Sequence, residues 1–363
     1  MFRLNRQSRV ANRSPPQRFA QNCRYDYSAN PQDNPSPAEA MNTPANLPDL
    51  VADIGGTNAR FCLATGPAEF TAALTLPCAE YASLSDAIRD YLSRVGAPEI
   101  HDAVIAIATA VSGDQIKMTN LHWSFSTAAT QRNLGLRTLL VINDFAALAM
   151  ALPCLGATQF ERIDSDGTIC HGVKAVIGPG TGLGVAGLVP TETGWQPLAT
   201  EGGHVSLAPA DPLELELLKL LWNDYPHVSA ERLVSGPGLV LLYRSLCQIG
   251  GTEALANDSA RIVELAAAGT CATARQTLSV FSGLLGGVAG NVALTLACSG
   301  GLYLGGGVLG KMGDQFDTVK FRQRFVAKGR FRDYLQAIPN YLITAQHPAF
   351  IGAAQYLRKN RML

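Results

Sequence analysis

From Leu50 onward the apolar positions fall into short runs that predict strands, and into 3.6-residue stripes that predict helices. Three strands are expected in succession, over residues 50–54, 60–65 and 70–76. A helix follows over 84–95, with Leu84, Ile88, Tyr91 and Leu92 on one face and Ser83 or Ser85 as its cap. The continuous apolar run at 103–108 predicts a strand buried on both sides. Another strand, 139–142, runs directly into Asn143-Asp144, which opens an apolar helix through Leu152. Three meandering strands followed by alternating helix and strand describe a mixed α/β sheet with helices on its faces.

The pattern restarts at Val173. Residues 173–189 again read as apolar strand, turn of Gly and Thr, apolar strand, so the chain is expected to hold two similar sheets whose glycine hairpins face each other. Asp211-Pro-Leu-Glu214 then opens a helix, with Asp211 as cap and Pro212 at the first helical position. Further helices are predicted over 238–248, 259–268 and 272–297, strands over 302–304 and 341–344, and a last helix over 349–357. No charge occurs between Arg275 and Lys311, longer than a membrane span requires. The glycines that interrupt it, from Gly283 to Gly301, favour a closely packed core helix followed by a core strand, and no membrane partner is expected.

Composition narrows the partners. The 363 residues are 47% hydrophobic, enough for two domains and a cleft, and 29 basic residues balance 29 acidic ones. That balance provides no overall field to recruit nucleic acid or a membrane surface, so the expected partner is a small molecule. The eight cysteines show no CxxC or CxC spacing and several sit in apolar runs, which predicts reduced core thiols and a cytoplasmic protein. Residues 1–47 differ from the rest. They are rich in Arg and Pro, lack the apolar segment of a secretory signal, and are expected to be a disordered leader, with a transit peptide or a true start at Met41 as the other readings.

Several constellations carry candidate chemistry. At the first hairpin, Asp53 is followed by Gly55, Gly56, Thr57 and Asn58, whose bare amides and side-chain donors suit phosphate while Asp53 suits a metal ion. The same residues also suit an ordinary hairpin turn. No GxxxxGK[ST] occurs, so phosphates must be held without a P-loop lysine. A GxGxxG at Gly305, Gly307 and Gly310 lies too late, and lacks the following acid on an apolar strand, for a dinucleotide site. Asp144, where a strand gives way to a helix, suits a general base for a hydroxyl proton, or else a simple helix cap. Glu201 and His204, either side of a glycine pair, suit sugar hydroxyls; a satisfied core histidine is the alternative for His204, and Glu231 by itself says little.

Taken in order, Ala52-Asp-Ile-Gly-Gly-Thr-Asn-Ala-Arg60, Met118-Thr-Asn120, Ile142-Asn-Asp-Phe145, Gly178-Pro-Gly-Thr-Gly-Leu-Gly184, Glu201-Gly-Gly-His204, Ser229-Ala-Glu-Arg232 with Ser235-Gly-Pro-Gly238, and Gly305-Gly-Gly307 resemble the bacterial glucokinase family. The resemblance runs from about Leu50 to the C-terminus. It implies two ribonuclease-H-like domains of the actin-like ATPase fold around a cleft, with 48–154 plus 345–363 as the small domain and 155–344 as the large one. It implies ATP-dependent phosphorylation of glucose to glucose 6-phosphate, with ATP and Mg²⁺, and a homodimer. By resemblance, Asp144 is the general base, and Asn143, Glu201, His204 and Glu231 join it on the sugar. Asp53 faces Mg²⁺. Gly55, Gly56, Thr57 and Asn58 hold one side of the phosphates and Gly180, Thr181 and Gly182 the other, while Gly305, Gly306 and Gly307 let adenosine approach the backbone. Pro179 departs from the small residue expected in its loop and has no N–H to offer. A kinase for another hexose or amino sugar, and a non-catalytic sugar-sensing regulator, are the competing functions.

Overall fold

The computed structural model describes residues 47–66, 68–163 and 170–361. Residues 1–46 of the expected leader, with Cys23 and Met41, lie outside the described residues. In chain order the first elements are β1 (Asp49–Ile54), β2 (Asn58–Ala64), β3 (Phe70–Pro77), α1 (Leu84–Arg94), β4 (Asp102–Ile107), β5 (Gln115–Lys117), β6 (Ser124–Ser126), α2 (Thr127–Asn133), β7 (Thr138–Asn143) and α3 (Asp144–Ala151). Then come β8 (Phe160–Arg162), β9 (Lys174–Pro179), β10 (Leu183–Thr191), β11 (Gly194–Thr200), α4 (Pro212–Leu221), α5 (Ala230–Leu233), α6 (Gly236–Ile249), α7 (Ser259–Ala267) and α8 (Ala272–Leu296). The chain finishes with β12 (Leu302–Leu304), α9 (Gly307–Met312), α10 (Thr318–Val326), α11 (Arg332–Gln336), β13 (Asn340–Ile343) and α12 (Pro348–Arg361).

The first sheet has the order β3-β2-β1-β4-β7, antiparallel through its first three strands and parallel from β1 through β4 to β7. The second repeats this arrangement as β11-β10-β9-β12-β13, with β8 added antiparallel at the edge. This is the doubled ribonuclease-H-like α/β arrangement that the resemblance implies, and the restart at Val173 is its second copy.

Alternation along β1 explains the layers. Leu50, Ala52 and Ile54 join one core with Leu84, Ile88 and Tyr91 of α1, while Val51 faces a second core built with α12. In the second sheet Ala175 and Ile177 face the α6 and α8 side, and Val176 faces the opposite side with Tyr303 and Tyr341. α3 and α12 serve both sheets. Ala146, Ala147 and Phe350 pack on the first, whereas Leu148, Met150 and Ile351 pack on the second. A helix whose apolar residues point all round, as in α3, belongs in such a position. The two helices approach closely because Gly352 has no Cβ to meet the Ala147 carbonyl.

The uncharged stretch is resolved in favour of the core reading. α8 is long and apolar enough to cross a membrane, yet it is mostly buried, and Gly286 and Gly290 bring it against the backbone of Phe321 and Phe325 in α10. Five of the seven described cysteines, Cys62, Cys78, Cys247, Cys271 and Cys298, are buried thiols.

Candidate active site

Each glycine hairpin closes on itself with one hydrogen bond and leaves two amides beyond it. In the first, Gly55 N–H donates to Asn58 O at 3.0 Å. In the second, Gly180 N–H donates to Gly182 O at 2.8 Å. Among the described residues the N–H groups of Gly56, Thr57, Thr181 and Gly182 take no backbone partner. Two adjacent amides at a turn tip form an anion-binding concavity of the kind that accepts phosphate oxygens. Cys78 steadies the first tip, donating its N–H to Thr57 O at 2.8 Å and its thiol to Gly55 O at 3.7 Å. The tip also lies against Asn120, 3.0 Å from where a Gly56 Cβ would stand.

The second hairpin rests on the glycine run at the end of β12. Gly178 and Pro179 meet Gly305 and Gly306 backbone to backbone, and Gly306 has φ +88°, a conformation open to glycine and strained for other residues. Nothing lies within 4 Å of a Cβ position at Gly307. Pro179 is the last residue of β9, so its missing N–H falls at the strand end.

Asp144 stands where the first sheet hands over to α3. Asn143, the last residue of β7, is the N-cap: its Oδ1 accepts Phe145 N–H and Ala146 N–H, both at 3.0 Å. The alternative in which Asp144 is merely the cap is therefore corrected. Asp144 is the first helical residue, and its Oδ1 accepts Phe145 N–H at 2.9 Å and Asn143 Nδ2 at 3.1 Å. Asn143 Nδ2 also donates to Thr109 O at 3.3 Å, tying this corner to the strand-end loop after β4. Phe145 turns the other way, its ring filling the space that a Gly184 Cβ would occupy. The Asp144-Phe145 step thus touches both hairpin neighbourhoods.

Burial pushes the Asp144 carboxyl up to about 7. The Asp53 charge pushes in the same direction, the N–H groups of Phe145 and Asp144 pull it back, and Glu201 adds a further push. Burial also raises Asp53, against the opposing charge and hydrogen bond of Arg60, 3.2 Å away, and the charge of His347. Arg60 is the cross-strand partner of Asp53, which the hairpin register alone specifies. His347, with φ +50° just before α12, carries no signal in the sequence that would place it there.

Glu201 and His204, on one short turn after β11, come together with Glu231 of α5. His204 Nε2 lies 4.0 Å from Glu201 Oε2 and 3.9 Å from Glu231 Oε1. His204 is exposed, so the core-histidine alternative is also corrected. Glu231 is fixed at the second position of α5, whose N-cap Ser229 accepts Arg232 N–H at 3.2 Å. Its other oxygen, Oε2, accepts Leu183 N–H of the second hairpin at 2.8 Å. Together these residues give a basic carboxylate, a cluster able to donate to and accept from hydroxyls, and two pairs of bare amides.

Among the described residues no three His, Cys, Asp or Glu side chains form a metal cage. Asp53, at the edge of the first hairpin, nevertheless fits Mg²⁺ carried in by phosphates, since such an ion needs only one or two protein carboxylates.

The glucokinase family model matches residues 50–360. The "Bifunctional protein glk" of Burkholderia thailandensis is 50% identical over 314 residues, which cover 86% of this chain and 49% of that one. This chain spans about half the length of that curated relative and of others like it. Glucokinase of Chromobacterium violaceum is 46% identical over 314 residues, covering 86% of this chain and 90% of that protein. Among solved structures, the glucokinase of an Antarctic psychrotroph superposes with TM-score 0.77 and 40% identity, covering 86% of this chain and 98% of that one.

Proposed function

We propose, from the premise that this chain belongs to the glucokinase family, that it transfers the terminal phosphoryl group of ATP to the 6-hydroxyl of glucose. One observation carries the proposal: a carboxyl lifted to about 7 is held at the start of α3, beside the Asp53 hairpin and within the field of Glu201. A general base works best when its pKa lies near the operating pH.

Asp144 accepts the proton of the 6-hydroxyl as that oxygen forms its bond to the terminal phosphorus, and the bond from that phosphorus to the bridging oxygen of ADP breaks. Asn143 holds the base by capping its helix and donating to Oδ1. Glu201, His204 and Glu231 orient the sugar through its remaining hydroxyls. The amides of Gly56 and Thr57 hold one side of the donor phosphates, with Gly55 and Asn58 shaping the turn, and those of Thr181 and Gly182 hold the other, with Gly180 closing its turn. Gly307, where a side chain would meet open space, leaves backbone accessible to the nucleoside, while Gly305 and Gly306 let this turn pack against Gly178 and Pro179. Asp53 would hold Mg²⁺, which when bound neutralises charge on the phosphates. Residues 48–154 with 345–363, and 155–344, act as two domains that close to exclude water, a division supported by one complete sheet in each stretch. Homodimer formation and a cytoplasmic location belong to the same family reading.

The test is ADP release by the purified protein with Mg·ATP and a panel of hexoses. Glucose is expected to give the fastest turnover. Faster turnover with another hexose or an amino sugar would replace the substrate, and sugar binding without turnover on any sugar would favour a sensor.

A further inference from the structure

The two oxygens of Glu231 address different halves of the site. Oε1 lies 3.9 Å from His204 Nε2, on the side read above as the sugar subsite. Oε2 accepts Leu183 N–H at 2.8 Å, next to the two bare amides of the second hairpin. Gly182 makes this possible, because a Cβ there would collide with Oε2. The segment that carries Glu231 is tied to the same loop a second time, through Gly236 N–H donating to Gly180 O at 2.8 Å. A cavity of about 400 Å³ opens beside this junction, lined by Thr181, Glu231, Arg232 and Ser235. Arg232 is held over the Tyr225 ring at 4.3 Å, which restrains the backbone on the C-terminal side of Glu231.

We infer that Glu231 couples occupancy of the sugar subsite to affinity for the donor nucleotide, an inference that rests on the kinase reading. A carboxylate is planar, so a hydroxyl donating to Oε1 restricts rotation of the group and with it the direction of Oε2. Restricting Oε2 fixes Leu183 N–H, and the neighbouring Thr181 and Gly182 amides then present a set geometry to phosphate. The hydroxyl also draws charge from a carboxylate that stands close to where phosphate oxygens bind, and so lowers their repulsion. The effect must run both ways, since a bound nucleotide that orders the loop fixes the sugar-facing oxygen in turn.

The experiment is calorimetric titration of a magnesium complex of a non-hydrolysable ATP analogue, with no glucose and with saturating glucose. Wild type, Glu231→Gln, Gly182→Ala and Glu201→Gln are compared. In wild type, glucose should tighten analogue binding at least about 5-fold, the lower end of common coupling factors. Glu231→Gln weakens the tether from the carboxylate side. Gly182→Ala displaces the same oxygen from the loop side without changing the chemistry of the Glu231 side chain. Both should bring the ratio to within about twofold of one, and Glu201→Gln should weaken glucose binding yet keep the ratio once glucose saturates. Because the ratio is taken within each variant, a change in its intrinsic nucleotide affinity cancels. If Glu231→Gln does not fold, Gly182→Ala decides alone. A wild-type ratio of one, or an unchanged ratio in Gly182→Ala or in folded Glu231→Gln, overturns the inference. If wild type turns glucose over while the ratios fail, only this inference falls; if wild type neither binds nor phosphorylates glucose, the kinase reading falls with it.

Discussion

Asn143 caps the helix on which Asp144 stands, and its amide nitrogen also donates to the Asp144 carboxylate at 3.1 Å. One side chain therefore fixes the backbone entry into α3 and stabilises the ionised form of the neighbouring acid. Asn143→Asp keeps an acceptor for the cap but removes the donor and adds a negative charge beside Asp144. The pH at which kcat/KM is half-maximal should move upward in this variant. Asn143→Ala should instead lose about 1 kcal/mol of stability through the missing cap, measured by denaturant unfolding. An unshifted profile in Asn143→Asp would detach Asn143 from the titration of the base.

Asp144 must lose its proton to act as a base, and its carboxyl titrates at about 7. The rate at subsaturating glucose should therefore rise as pH increases through about 7 and then level off. Asp144→Asn should lower kcat by at least about 10²-fold with little change in glucose affinity. A near-normal kcat in that variant would remove Asp144 from the chemistry.

The same raised pKa makes Asp144 a burden on stability. Above the ordinary value of 3.8 the unfolded chain has lost this proton while the folded chain retains it up to about 7, so folding becomes less favourable across that window. Asp144→Asn removes a carboxyl that burial and the charge of Asp53 disfavour in its ionised form. Its Tm should exceed that of wild type at pH 8, with the gap narrowing as pH falls toward 4. A gap that is constant with pH would mean that Asp144 is not the group responsible.

Arg361, in the last turn of α12, joins Asp49 of β1 and Asp102 of β4, which Arg137 also engages. Burial works to raise Asp102, but hydrogen bonds from Arg137 and Thr138 and the charges of Arg361 and Arg137 outweigh it, and the carboxyl sits below its ordinary range. Arg361→Ala leaves both acids without this partner. A loss of about 1–2 kcal/mol is expected, below the usual 3–5 for a buried pair because Arg361 is partly exposed and Arg137 remains. For Asp102 the ion-pair stability is present above the unfolded-state pKa and is lost as pH falls through the depressed folded one, so the defect should shrink in acid. Denaturant unfolding at pH 7 and pH 3 checks both the size and the sign.

The sequence by itself determined the elements whose causes are local. The apolar run at Leu50 to Ile54, the stripe of Leu84, Ile88 and Tyr91 under the Ser83 cap, and the Asp211-Pro212 helix start each place an element to within a residue or two. Such features depend on hydrogen bonds and side-chain periods that reach only a few residues along the chain. The pattern missed α10, where Lys320, Arg322 and Arg324 mask Phe321 and Phe325, because those two rings are buried only once α8 offers its glycine face. It missed β11 for a similar reason: an exposed edge strand has little apolar signal, and pairing with β10 defines it.

At the site, composition and order named the residues but left Asp144 open between base and cap. Only the tertiary structure gave the cap to Asn143 and set Asp53 and Glu201 close enough to raise the Asp144 pKa. It likewise set Arg60 and His347 against Asp53 and aimed Glu231 at both His204 and the Leu183 amide. Burial and charge act through space, and the groups that supply them come from β1, β2, the turn after β11, α5 and the approach to α12. Their separation along the chain carries no information about distance until the two sheets close on α3.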